Sequence, residues 1–189
     1  MRGASIILIW FASSPLPTCA QPASTQNTPR FEDYPVTEMF TGTPVAPIFS
    51  TLETRQYRTR IRNGVSTGAD VWNGSWKNPI QRKEPNFAGH YFVIRWGCGS
   101  QCVTMATVDA KTGSVYPPPL SEKGSLWVPL DNLSEMEIDF VPNTSLMVLR
   151  NACRDFKDRK TCGTYYFNWK DNRFVLVRFV MVNPLKDLP

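Results

Sequence analysis

Apolar and polar positions alternate in two distinct rhythms along this chain. Between Ser50 and about Val65, the residues Leu52, Gln56, Tyr57, Ile61 and Val65 fall near one face at helical spacing. Arg55, Arg58, Arg60 and Arg62 take much of the rest. Ser50-Thr51 supplies capping hydroxyls, Glu53 sits in the first turn, and Gly64 and Gly68 stand near the end. This predicts one helix. After Pro85 the rhythm shortens to strands: His90 to Trp96, Cys102 to Asp109, Ser114 to Tyr116, Ser125 to Val128, Glu135 to Phe140, Ser145 to Arg150, Gly163 to Trp169 and Arg173 to Val182. Alternation is cleanest in Glu135-Met-Glu-Ile-Asp-Phe140, where Met136, Ile138 and Phe140 share one face.

Turn-forming residues punctuate these runs. Lys111-Thr-Gly113, Asp139 to Ser145 and Lys170-Asp-Asn172 read as hairpin connections, and such short links favour antiparallel neighbours. The expected fold class is α+β: one N-terminal helix packed on a bent, mainly antiparallel β-sheet of short strands. Ser66 to Pro85 reads as a long loop holding Trp72 and Trp76, rings large enough that the loop is expected to pack down. The turn at 109–113 and Trp169 also resemble propeller-blade hairpins, but the chain is too short for several four-stranded blades.

The N-terminus has a different pattern. Arg2 precedes the uncharged run Ala4 to Ala12, and Pro15, Pro17 and small residues follow. That order is a signal-peptide layout, and the run is too short to span a bilayer. Cleavage after Ala20 is favoured over lipidation at Cys19, because Pro17 and Thr18 suit a lipoprotein box poorly. The expected organisation is 1–20 signal peptide, 21–35 flexible lead and 36–189 a single α+β domain. The lead is rich in Pro, Ser, Thr, Asn and Gln and has little to bury.

Export changes how the cysteines are read. Removing Cys19 leaves four of the five: Cys98, Cys102, Cys153 and Cys162. An even number in an exported chain implies a disulfide framework. Each of the pairs Cys98–Cys102 and Cys153–Cys162 brackets a short polar stretch, which favours local pairing, although the sequence leaves the other connectivities open. A zinc site on these four is the alternative; the second spacing does not suit it, and no metal or other cofactor is expected. The formal charge of +5 falls to about +4 without Arg2, which permits attraction to acidic surfaces without singling out nucleic acid.

Candidate chemistry is densest between Asn86 and Tyr116. Asn86-Phe-Ala-Gly-His90-Tyr91 is followed by Trp96-Gly-Cys98-Gly-Ser100-Gln101-Cys102 and then by Asp109-Ala-Lys-Thr-Gly113-Ser-Val-Tyr116. As a set, these motifs resemble a group of small exported bacterial proteins. The resemblance covers roughly these thirty residues and, more loosely, the following strands. It implies export and a shared architecture and carries no activity with it.

His90 is the only histidine, so any imidazole chemistry must use it, with Ser100 or another serine and Asp109 recruited by folding. Nucleophile-elbow and His-containing metal motifs are absent from the sequence. The plainer reading has His90 opening a strand and bonding a loop carbonyl. The Cys98–Cys102 turn is read first as a rigid hairpin tip, then as a recognition loop, and last as a redox couple, for which a Cys-x-x-Cys at a helix start is the usual form. Its architecture is similar to some periplasmic inhibitors of vertebrate-type lysozymes, which present a disulfide-closed loop from a bent sheet. This loop lacks the His and the acidic residue that those inhibitors insert.

The arginines at 55, 58, 60 and 62 are read as a solvated helix face in preference to a polyanion site. Trp127 and Tyr165-Tyr166 are read as core in preference to groove, and the Asn-x-Ser matches at Asn73, Asn132 and Asn143 carry no meaning in a bacterial chain.

The expected function is therefore a periplasmic or secreted, non-enzymatic protein that binds an unidentified protein or envelope component. His90, Trp96, Ser100 and Gln101 are the candidate binding residues. Membrane contact is expected only through Cys19. The first alternative is a hydrolase (lysozyme-type) inhibitor using the Cys98–Cys102 loop, and the second is a hydrolase built on His90.

Overall fold

The computed structural model describes residues 27–67, 84–99, 102–120, 126–127, 136–155 and 157–181. The expected signal peptide, the start of the lead, the loop holding Trp72 and Trp76, and both Ser100 and Gln101 lie outside the described residues.

Among the described residues eight strands form one antiparallel sheet: β1 (Tyr91–Gly99), β2 (Cys102–Asp109), β3 (Val115–Tyr116), β4 (Leu126–Trp127), β5 (Glu137–Phe140), β6 (Leu146–Cys153), β7 (Cys162–Lys170) and β8 (Arg173–Met181). Their order is β1-β2-β4-β6-β7-β8, with β3 also on β2 and β5 also on β6. Local hairpins thus build two blocks, β1–β2–β3 and β5–β6–β7–β8, and the two-residue β4 joins them through Cys102↔Trp127 and Trp127↔Cys153. The β7–β8 turn uses Asp171 and Asn172 at φ 51° and 59°, left-handed angles that Asn and Asp tolerate.

The sheet curls so that its ends meet. Tyr91 of β1 packs against Trp169 of β7 at 5.0 Å between ring centroids, and its hydroxyl donates to Asn172 Oδ1 at 2.7 Å. Inside the curl, Phe87, Val93, Val103, Met105, Met147, Leu149 and Phe167 form the main core. On the opposite face of β1 and β2, Phe92, Ile94, Trp96, Ala106 and Val108 pack with Ile61. Every residue of β2 is consequently buried, since apolar side chains leave water on both of its faces.

The helical part is small and is not the single expected helix. It comprises α1 (Leu52–Gln56) and α2 (Arg58–Thr67). Thr51 caps α1 through its hydroxyl, which accepts from Thr54 N, while Thr51 N donates to Thr54 Oγ1, both at 3.1 Å. Tyr57 then leaves helical geometry (ψ 12°), and its ring tilts onto Trp96 at 5.1 Å. This tertiary ring contact coincides with the break in the helix. Beyond it, Gly64 lets α2 approach the sheet closely, because a Cβ there would overlap the Ile94 side chain.

Before the helices, Phe31 and Tyr34 pack against Leu146, Val148 and Tyr166, and Ser145 N donates to the Tyr34 carbonyl at 2.9 Å. The last residues of the expected flexible lead are therefore seated on the sheet. Both disulfides join local partners, Cys98 with Cys102 and Cys153 with Cys162.

Candidate functional site

Three places gather the chemistry singled out in the sequence. The first is a cleft of about 150 Å³ between α1 and the β1–β3 corner. Thr51, Glu53, Thr54 and Tyr57 form its helical wall, Trp96, Thr104 and Ala106 line its sheet side, and Tyr116, Pro117 and Pro118 complete it. The capping of α1 explains the first wall, since Thr51 and Thr54 are fixed there by their reciprocal bonds. Trp96 is only 2% exposed, and its indole nitrogen has no hydrogen-bond partner among the described residues. A buried N–H without an acceptor costs free energy on the order of 1–3 kcal/mol. Among the described residues the lining offers aromatic and proline surface, hydroxyls, and Glu53 as its only charged residue.

The second place is the start of β1. His90 Nε2 lies 4.0 Å from Asp109 Oδ1, a charge contact too long for a hydrogen bond. The His90 ring tilts against the Tyr91 ring at 4.1 Å between centroids, and its carbonyl accepts from Ala110 N at 2.8 Å. Burial lowers the pKa of His90, with Asp109 opposing that shift, so the neutral ring is favoured. Asp109 itself organises the following turn. Oδ1 accepts from Lys111 N at 2.7 Å, Oδ2 accepts from Thr112 Oγ1 at 3.0 Å, and its carbonyl accepts from Gly113 N at 2.8 Å. Gly113 needs its positive φ of 75°, and a side chain there would strike the Ala46 carbonyl. Lys111 pairs with Glu38 at 2.8 Å. Thr112 Oγ1 contacts Ser114 Oγ at 2.9 Å, not the imidazole. The carboxylate thus anchors a turn, and among the described residues the arrangement lacks the nucleophile–base hydrogen bond that a triad needs.

The third place is the Cys98–Cys102 turn. Cys102 is buried while Cys98 is half-buried. Arg60 of α2 donates from Nη1 to the Gly97 carbonyl at 3.0 Å, so the turn is held by a cross-link and by a helix contact. Its Ser100 and Gln101 fall outside the described residues. The structure brings Trp96 into the cleft and leaves His90 at the turn, so these two candidates do not share a site.

Tyr57, Thr51, Thr54, Tyr116 and Pro117 were not singled out as ligand contacts in the sequence. Only the Thr51-x-x-Thr54 capping spacing signals where that wall stands. With all four cysteines paired, thiolate ligands for zinc are gone. Among the described residues, no three His, Cys, Asp or Glu side chains converge on a point where a metal ion could sit.

No family model, curated protein or solved structure matches this chain.

Proposed function

We propose that this is an exported, non-catalytic binding protein whose ligand seats in the Tyr57–Trp96 cleft. The observation that carries the reading is the aromatic and proline-lined cleft itself, walled by Tyr57, Tyr116, Pro117 and Pro118 beside the buried Trp96 ring. The ligand class follows from the lining. A neutral or cationic group fits better than an anion, because Glu53 is the only charged wall residue among the described residues. One apolar face suits Tyr57, Tyr116 and the two prolines. Export rests on the N-terminal residue pattern together with two disulfides, which persist in an oxidising compartment. No helix among the described residues is long and apolar enough to cross a membrane. Tethering, if Cys19 is acylated, comes from the lipid.

Saturation-transfer NMR with neutral oligosaccharides and with neutral or basic proline-rich peptides tests the cleft. One class is expected to bind, with Tyr57→Ala weakening it at least tenfold. Binding that survives both Tyr57→Ala and Thr54→Val unchanged removes the cleft reading.

The disulfide tip supports a second reading, inhibition of a lysozyme-type hydrolase by the 98–102 loop. Its specific support is the double fixation of the loop's base by the cross-link and by Arg60, since an anchored base lowers the entropy lost on insertion. Lysozyme turnover measured with the parent and with Gln101→Ala decides this: equal turnover with and without the parent protein ends the inhibitor reading.

A further inference from the structure

We propose that the outward side of the Ile48–Arg62 segment is a docking surface for an anionic lipid bilayer. Leu52 is 84% exposed and Ile48 57% exposed, the two most exposed large apolar side chains among the described residues. Both flank Phe49. Arg55 donates from Nε to the Phe49 carbonyl at 3.2 Å, and the Arg62 guanidinium lies over the Phe49 ring at 5.1 Å. Arg58 continues the group, donating to the Arg55 carbonyl at 3.5 Å. All three arginines are exposed. Phe49 packs partly against the Phe92–Trp96 core, so the patch stands on a fixed base. Glu53, the one acid of α1, lines the cleft instead.

This geometry matches what an interfacial surface requires. Among the described residues nothing covers these two apolar side chains, and three exposed guanidinium groups of the same segment can meet phosphates. A soluble polyanion such as nucleic acid would use the arginines but would gain nothing from a protruding Leu52 and Ile48. The formal charge of +5, about +4 without Arg2, adds long-range attraction to the same partner. The inference is independent of what occupies the cleft, although seating this face on lipid would place the cleft, on the other side of α1, next to the bilayer surface.

Vesicle sedimentation tests it, using phosphatidylcholine vesicles with and without about one third phosphatidylglycerol, a bilayer whose headgroups carry the required charge. Each variant is compared with the parent chain in the same background, so the apolar segment 4–12 contributes equally to both. Leu52→Ser is expected to lower partitioning to anionic vesicles about tenfold, and Arg58→Ser about fivefold. Neither side chain is part of the core, and circular dichroism should be unchanged. Equal partitioning to neutral and anionic vesicles overturns the proposal, as does anionic binding indifferent to Leu52→Ser. Loss on Arg58→Ser alone, with full competition by polyphosphate, also overturns it and assigns the patch to a soluble polyanion.

Discussion

Arg60 and Gly97 are joined by a 3.0 Å hydrogen bond from guanidinium to carbonyl across 37 positions of sequence. The bond ties α2 to the root of the Cys98–Cys102 turn. Because Arg60 is exposed, removing it should cost the whole fold about 1 kcal/mol or less, while loosening the turn locally. In dithiothreitol, Cys98–Cys102 should reduce before Cys153–Cys162, since Cys98 is half-buried and both other partners are buried. Arg60→Met should speed the first reduction severalfold and leave the second unchanged. Equal acceleration of both would mean that Arg60 acts on global stability.

Gly64 faces Ile94 where α2 crosses β1. In an exposed helix, Gly→Ala gains about 1 kcal/mol of propensity. Here the new methyl would come within 2.9 Å of Ile94 Cγ1 and closer still to its other branch. Overpacking of this kind costs about 1–3 kcal/mol, so Gly64→Ala should lower the melting temperature. Adding Ile94→Ala should relieve the overlap, making the two substitutions non-additive in a double-mutant cycle.

Much of the sheet was legible because hairpin rules are local. Asp109 to Gly113, the 139–145 connection and Lys170-Asp-Asn172 carry turn chemistry in adjacent residues, and the strands they join lie within a few positions of their expected bounds. Both disulfides follow the same short-range logic. The break at Tyr57 was not legible, since it coincides with a ring contact to Trp96, a residue remote in sequence. The cleft was hidden for the same reason: its walls come from 51–61, 96, 104–106 and 115–118. Periodicity placed Trp96 on a strand; it carried no sign that the Trp96 indole nitrogen would lack an acceptor among the described residues.

Asp109 is buried and serves the turn with both carboxylate oxygens. Asp109→Ala leaves Lys111 N and Thr112 Oγ1 without their acceptor and should cost about 2–3 kcal/mol in urea unfolding. Asp109→Asn keeps an amide oxygen for Lys111 N and should cost less than half as much. An Asn variant as unstable as the Ala variant would show that the negative charge, not the turn geometry, is what matters.

His90 gives a defined pH response. Its pKa in the folded protein lies below the ordinary 6.5, chiefly through burial. Below pH 6.5 the unfolded chain therefore takes up a proton that the folded protein resists. The stability contribution is fully present above pH 6.5 and is lost as the pH falls from there through the folded value. His90→Gln should flatten that part of the stability profile and change little at pH 8. A parent profile that rises on acidification through this window, and loses the rise in His90→Gln, would reverse the assignment.

Val177 is the extra residue of a β-bulge in β8, lying between Leu176, opposite Phe167, and Arg178, opposite Tyr166. Among the described residues β8 pairs only with β7, and it exposes Val175, Leu176, Val177, Val180 and Met181. A straight edge of this composition would recruit a second strand, and a bulge with flanking charges, here Arg173 and Arg178, blunts it. Deleting Val177 keeps both flanking pairs but makes the ladder regular and the edge flatter. The deletion variant should therefore fold, yet self-associate at concentrations where the parent does not, as read by sedimentation velocity. Adding Val175→Lys to the deletion should reverse the association by placing a charge on the newly straightened edge. If the deletion variant sediments like the parent at every concentration, the bulge is not what keeps β8 unpaired.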